Sequence, residues 1–316
     1  MTDDNRVALT SLNILVLAGG PDRERQVSLH SGSQVAAALR DAGHGVRESD
    51  ITPGDLSALD ACHERGEVVF PVLHGGWGEG GGLQRELEMR SLRFVGARHE
   101  AAELCMNKYW TKAALCEAGV ATPGFQLVTA ETRPTIKPPL VLKPVREGSS
   151  IDIAICRTDT DLDAAWDDLF TRHETLLAEQ FIEGDEMTVG VIEFPDESGQ
   201  LEPTAMPALK IVPGDSFYDY EAKYHRNDTQ YLFDTGLEAE AAERMAETAT
   251  RVHQHLDARH LSRVDFIVDA AGEAWVLEIN TMPGFTTHSL LPRSAAEYGL
   301  TMPELTDHLV RLAAES

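Results

Sequence analysis

The stretch Arg263 to Asn280, RVDFIVDAAGEAWVLEIN, constrains this chain more than any other. Two runs rich in β-branched residues flank Ala270-Ala271-Gly272-Glu273, which reads as a turn, and together they predict a β-hairpin. If the turn closes symmetrically, Asp265 lies opposite Glu278 and Arg263 opposite Asn280. Strand side chains alternate with a period of two, so all four share one face. Carboxylates opposed across a ladder repel. A cation between them removes that cost. Carboxylates with an amide oxygen are the hard ligands that Mg2+ takes while it also holds nucleotide phosphates. Arg263, beside them, is placed to hold a developing oxyanion. Without a cation the same residues make a surface hairpin with solvated charges.

The chain has 316 residues, enough for two or three packed units. A net charge of −25 argues against nucleic acid and anionic membranes as partners. A phosphate-bearing ligand must therefore be met by locally concentrated cations. Cys62, Cys105, Cys116 and Cys156 have no CxxC spacing and read as reduced thiols of a cytoplasmic protein. The apolar run Ile14 to Ala18 is a strand rather than a signal peptide, and no run approaches the ~20 apolar residues of a membrane span.

Strand and helix alternate through residues 1–104, which predicts an α/β unit with a parallel sheet and Gly-rich loops at its strand ends. There is no GxGxxG and no GxxxxGK[ST]. Asn107 is a candidate N-cap for a helix ending near Ala118. Residues 105–190 read as a small antiparallel sheet with helices on one side, including strands at Leu176 to Phe181 and Met187 to Ile192. Residues 191–316 form a third, α+β unit that contains the hairpin.

Lys143 ends an apolar strand before a Gly-Ser loop, and Lys108 stands at a helix start. Two lysines and loops of small residues can cradle phosphates without a Walker motif. Alone, each lysine is equally at home on a solvated surface. Glu179 to Ile182 run from a strand into a loop, where backbone groups can pair with an adenine edge and Glu186 can meet a ribose hydroxyl. The aromatic, charged stretch Phe217 to Tyr224 reads as a lid or as an ordered surface loop. His74 ends a strand in a Gly-rich loop, a place that favours a ligand contact. His288 has no second His or Cys at zinc-ligand spacing.

These residues fall in segments that resemble the D-alanine–D-alanine ligases, an ATP-grasp family. The matching stretches are ERQVSLHSG (24–32), LHGGWGEGGGLQ (73–84), MNKYWTK (106–112), KPVREGSS (143–150), FYDYEAKY (217–224), RVDFIVD (263–269) and LEINTMPGFTTHSL (277–290). They occur in family order and span nearly the whole chain. The resemblance implies an ATP-grasp fold behind an N-terminal parallel-sheet α/β domain, with ATP between the last two units. It also implies two Mg2+ ions, with Mn2+ as the alternative, and a homodimer. The implied reaction passes the γ-phosphoryl of ATP to the carboxylate of one D-alanine. The amine of a second D-alanine then attacks that acyl phosphate, for peptidoglycan synthesis.

Carried over by position, Lys108 and Lys143 contact the phosphates, and Glu179, Phe181, Ile182 and Glu186 surround the adenosine. Asp265, Glu278 and Asn280 bind metal, and Arg263 with the Gly284 N–H stabilises the oxyanion. Ser289 and Leu290 hold the second substrate's carboxylate, and His74 contacts the first substrate. Ser149 and Tyr224 link the N-terminal loop to the lid, where Lys223 also belongs to the substrate set. Tyr224 favours an amine over a hydroxy acid as second substrate. One position departs: Gln26 stands where the resemblance places a Glu that anchors the first ammonium. A neutral partner predicts first-substrate binding weaker by ~10-fold or more, or a different first substrate. The alternative is thus a ligase of the same mechanism that joins another amino or hydroxy acid pair. A nucleotide-binding protein without catalysis is the third reading, and the intact set Lys143, Arg263, Asp265, Glu278 and Asn280 argues against it.

Overall fold

The computed structural model describes residues 10–148, 151–214 and 228–316. Ser149, Lys223 and Tyr224, and the 217–224 stretch as a whole, lie outside the described residues. Among the described residues, no helix is long and apolar enough to cross a membrane.

The first unit is built on β1 (Asn13–Gly19), α1 (Arg25–Asp41), β2 (Gly45–Ile51), α2 (Cys62–Arg65) and β3 (Glu67–Pro71). β1 lies between β2 and β3 and is parallel to both. The apolar run at Leu92 extends this sheet by one short step, with Val69 N donating to Arg93 O and Val95 N to Val69 O. α1 lies so close to β1 that a Cβ on Gly32 would stand 2.6 Å from that of Ala18. Helices α3 (Gly76–Glu79), α4 (Gly82–Met89), α5 (His99–Met106) and α6 (Lys108–Glu117) follow. Asn107 caps α6 as expected, its Oδ1 accepting from Trp110 N at 3.1 Å.

The central sheet contains β4 (Phe125–Thr129), β5 (Leu140–Pro144), β6 (Ala154–Cys156) and β7 (Thr175–Gln180), in the antiparallel order β4-β7-β5-β6. Helix α7 (Asp159–Leu169) covers one face and buries Leu162, Trp166 and Leu169 against Leu140, Leu142 and Leu176.

The third sheet contains β8 (Gly184–Pro195), β9 (Leu201–Ala205), β10 (Leu209–Val212) and β11 (Gln230–Leu232). After α8 (Ala239–His255) it is completed by β12 (Leu261–Asp269) and β13 (Ala274–Asn280). The order is β11-β10-β8-β12-β13, with β9 beside the far half of β8. Helices α9 (Leu290–Tyr298) and α10 (Met302–Glu315) close the described chain.

Two features correct the expected division into units. The boundary at 190 falls inside β8, a strand of the third sheet, so Met187 to Ile192 pair with β12 and not with the central sheet. The reason is length: β8 runs from Gly184 to Pro195 as one strand, buried over 187–192. The units also share cores. α10 and α9 bring Leu305, Leu309, Val310 and Leu291 onto Ile14, Val16, Val35 and Phe70 of the first unit. Leu115 of α6 joins Met245, Val264, Phe266 and Val276 of the third.

A polar seam joins the first and third units just before β12. Arg259 donates to Gly96 O and Phe94 O, each at 2.9 Å, and lies over the Phe94 ring. His260, fully buried at a left-handed φ of 68°, accepts from Gly96 N through Nδ1 at 3.2 Å. Its own N–H donates to Glu193 Oε2. Burial, with Arg259 close by, pushes its imidazole down to about 3.

Candidate active site

The hairpin pairs Arg263 with Asn280 and Asp265 with Glu278, the expected register. The route to that register was not expected. Near the turn, Val268, Ile267 and Phe266 face Ala274, Trp275 and Val276, one residue out of step with a symmetric closure. Leu277 is the extra residue, a bulge that restores the step just before the site. It also leaves Leu277 and Glu278 lining the same cavity, although they are neighbours in the chain.

Asp265 is buried among donors. Arg263 grips it with Nε to Oδ1 at 2.8 Å and Nη2 to Oδ2 at 2.7 Å. Thr188 Oγ1 donates to Oδ1 at 2.6 Å and Asn280 Nδ2 to Oδ2 at 3.1 Å. Across the ladder, Glu278 Oε2 lies 3.1 Å from the Lys108 ammonium, which also donates to Glu147 O at 2.7 Å. The opposed carboxylates are thus held by protein cations. Among the described residues no cluster of three or more His, Cys, Asp or Glu forms a closed metal cage. Two carboxylates and one amide are instead a partial, oxygen-rich set that fits Mg2+ bound jointly by protein and phosphate.

Lys143, near the end of β5, places Nζ 3.0 Å from Glu179 Oε1. The other oxygen, Oε2, lies 2.6 Å from Lys112 Nζ. Burial alone would raise the Glu179 carboxyl, but the Lys143 and Lys112 ammonium groups outweigh it and hold it below its usual range. Burial pushes Lys112 down to about 8 against the pull of Glu179. Lys112 was not anticipated as part of the site. The available signal was its four-residue spacing from Lys108, which puts both on one side of α6.

Two cavities meet at the hairpin. One, of about 500 Å³, lies between the central and third sheets. Val141, Ile153, Ile155 and Leu277 give it apolar walls, and Lys108, Lys143, Glu179, Phe181, Ile182 and Glu186 also line it. The second, of about 480 Å³, lies between the first and third units and is lined by Glu24, His74, Glu79, Arg263, Asn280, Gly284, Ser289 and Leu290, among others. Asp265, Glu278 and Glu186 line both. The strand-end segment offers fewer backbone donors than expected, because Gln180 N and Phe181 N already donate to Gly124 O and Pro139 O.

The Gln26 expectation needs correction. Gln26 is exposed at the rim of the second cavity, whereas Glu24, just before α1, is buried within it. Helix geometry explains this, since residues two apart on a helix point to different sides. The cavity therefore has its own carboxylate on this loop. Glu79, on α3, also lines it and was not anticipated. Burial, with Glu24 nearby, pushes the Glu79 carboxyl up to about 8 against a 3.0 Å bond from Gly75 N. His74 is buried, and its Nε2 has no hydrogen-bond partner among the described residues. Burial lowers its pKa, opposed by Glu24 and by a bond to the Met282 backbone.

Loop 281–289 is fixed from the first unit. Phe285 packs edge-on against Phe70, and Gln34 Oε1 accepts from Thr287 N at 2.8 Å. Ser289 sits at the start of α9, its Oγ accepting from Thr286 N at 3.0 Å. Ser289 and Leu290, at the start of α9, both line the second cavity.

Residues 119–311 match the family model described as D-ala D-ala ligase C-terminus. A D-alanine–D-alanine ligase B of Chromobacterium violaceum is 38% identical over 297 residues, which covers 92% of this chain and 94% of that one. This chain belongs to the D-alanine–D-alanine ligase family. A second family member, from Dechloromonas aromatica, is also 38% identical and spans 95% of this chain and 97% of its own. Among solved structures, the Bacillus anthracis D-alanine–D-alanine ligase complexed with ATP superposes with a TM-score of 0.79 at 25% identity. It covers 96% of this chain and 98% of that one. The VanG D-Ala:D-Ser ligase of Enterococcus faecalis gives a TM-score of 0.80 at 27% identity, covering 96% of this chain and 100% of that one. The ATP-grasp fold expected from the family's segments is thus the observed one.

Proposed function

We propose that this protein joins two D-alanine molecules into D-alanyl-D-alanine at the expense of ATP, for peptidoglycan synthesis. The observation that carries this reading is the wall of Asp265, Glu278 and Glu186 shared by the two cavities. A group held on that wall is in reach of a nucleotide on one side and an amino acid on the other, which a phosphoryl transfer requires.

In this reading the apolar walls at Val141, Ile153, Ile155 and Leu277 take the adenine, next to Phe181 and Ile182, with Glu186 near the ribose. Lys108 and Lys143 meet the phosphates. Asp265, Glu278 and Asn280 hold Mg2+ (two ions, with Mn2+ the alternative), which when bound neutralises phosphate charge during transfer. Glu24 anchors the ammonium of the first D-alanine, and the buried His74 Nε2 faces the same substrate. Arg263, paired with Asp265, and the Gly284 N–H stabilise the oxyanion of the tetrahedral intermediate. The start of α9 at Ser289 and Leu290 receives the second carboxylate. Ser149, Lys223 and Tyr224 keep their lid roles on family likeness alone. The enzyme works in the cytoplasm as a homodimer.

Purified protein given ATP, Mg2+ and D-alanine releases ADP and phosphate and forms the dipeptide mass. D-Serine and D-lactate as second substrates measure acceptor choice. Phosphate release with no amino or hydroxy acid pair, D-alanine included, would falsify the ligase reading. Light scattering on the same preparation checks the dimer.

A further inference from the structure

Lys112 has no solvent exposure. Its ammonium forms an ion pair with Glu179 Oε2 at 2.6 Å and donates hydrogen bonds to Thr122 Oγ1 at 2.6 Å and Val276 O at 3.5 Å. Glu179 and Lys143 line the nucleotide cavity, and Lys112 stands behind them. Whatever Lys112 contributes to a bound nucleotide, it contributes through Glu179.

We propose that Lys112 is a positioning residue whose charge neutralises Glu179 from behind and so leaves Lys143 available to the nucleotide phosphates. This deepens the ATP reading above and rests on it. Glu179 is only 2% exposed, and a carboxylate that deeply buried requires a counter-ion. Two ammonium groups flank it, one on each oxygen. The triad therefore carries one surplus positive charge, and its cavity-facing member is Lys143. With Lys112 fixed by Thr122 and Val276 O, the 3.0 Å contact from Lys143 to Oε1 is the exchangeable one. Remove the Lys112 charge and Lys143 becomes the sole counter-ion of a buried carboxylate. The pair is then neutral, and a phosphate has to compete with Glu179 for the ammonium.

The cycle of wild type, K112M, E179Q and K112M/E179Q tests this by calorimetric binding of Mg-ATP and, separately, of adenosine, which has no phosphates. K112M should weaken Mg-ATP about 10- to 100-fold, the range of one charged hydrogen bond, and change adenosine less than about threefold. Adding E179Q to K112M should recover most of the loss, because the surplus charge on Lys143 returns. Unchanged Mg-ATP affinity in K112M overturns the proposal. So does equal weakening of ATP and adenosine without recovery in the double variant, the pattern of a merely structural lysine. Should K112M not fold, K112Q, which removes the charge and keeps a polar group beside Thr122 and Val276 O, takes its place in the cycle with the same expected and overturning results. A wild type that binds no ATP sinks the nucleotide reading instead.

Discussion

The two cavities that meet at Asp265 and Glu278 are similar in volume and differ in their other walls. The one between the central and third sheets has apolar walls ending in the ammonium groups of Lys108 and Lys143. Its partner, between the first and third units, is lined by the carboxyl groups of Glu24 and Glu79 and by the Arg263 guanidinium. The first suits a flat apolar base with an anionic tail. The second suits a small zwitterion, ammonium toward Glu24 and carboxylate toward Arg263. In a chain of net charge −25, the convergence of Lys108, Lys143, Arg157 and Lys210 on one cavity, beside carboxylates that hold the first two in place, is the informative departure.

The sharpest way to break this comparison is at Arg263, on the shared hairpin. R263M should lower kcat about 10²- to 10³-fold, the scale of one lost oxyanion donor, with a much smaller change in KM for ATP. Steady-state kinetics separate the two effects, and an unchanged kcat would remove Arg263 from the chemistry. Next comes the acidic cavity. E24Q should raise KM for the first D-alanine about 10- to 100-fold, whereas Q26E should leave it within about twofold. The reverse result would return the anchoring role to position 26. On the nucleotide side, L277A should raise KM for ATP about 5- to 10-fold through lost apolar contact and leave KM for D-alanine alone. If both constants shift together, the bulge supports the whole hairpin and not one wall.

The smallest effect on turnover belongs to the seam at His260. Its imidazole is held near 3 by burial, against about 6.5 in the unfolded chain, so the unfolded state takes up the proton first on acidification. This group therefore adds a stability that is lost as pH falls from about 6.5 toward 3, at about 1.4 kcal/mol per pH unit. H260N, which keeps a residue type tolerant of left-handed backbone, should flatten that slope in denaturant melts and leave neutral-pH activity unchanged.

What the residues disclosed in advance and what they concealed follow one rule. The pairing of Asp265 with Glu278, the Asn107 cap and Lys143 at a strand end were legible because each depends on local periodicity or capping. The Leu277 bulge was not, because it sits next to register partners that a symmetric turn already brings together. Lys112 looks in sequence like any lysine on an amphipathic helix, and its partners are Thr122, beyond the end of that helix, and Glu179 and Val276, distant in the chain. Glu24 and Gln26 differ by two positions, and only the point where α1 begins decides which one turns inward. The division at 190 failed because pairing with β12, not a local break, defines where β8 belongs.

The shared core of α10 and the first sheet has a consequence for the order of synthesis. β1, α1 and β3 emerge early, yet the face carrying Ile14, Val35 and Phe70 is sealed by Leu305, Leu309 and Val310. The first unit to be made is thus among the last to close, and its apolar face stays open while the central and third units are translated. During that interval it is the part of the nascent chain most exposed to chaperones and to misassociation.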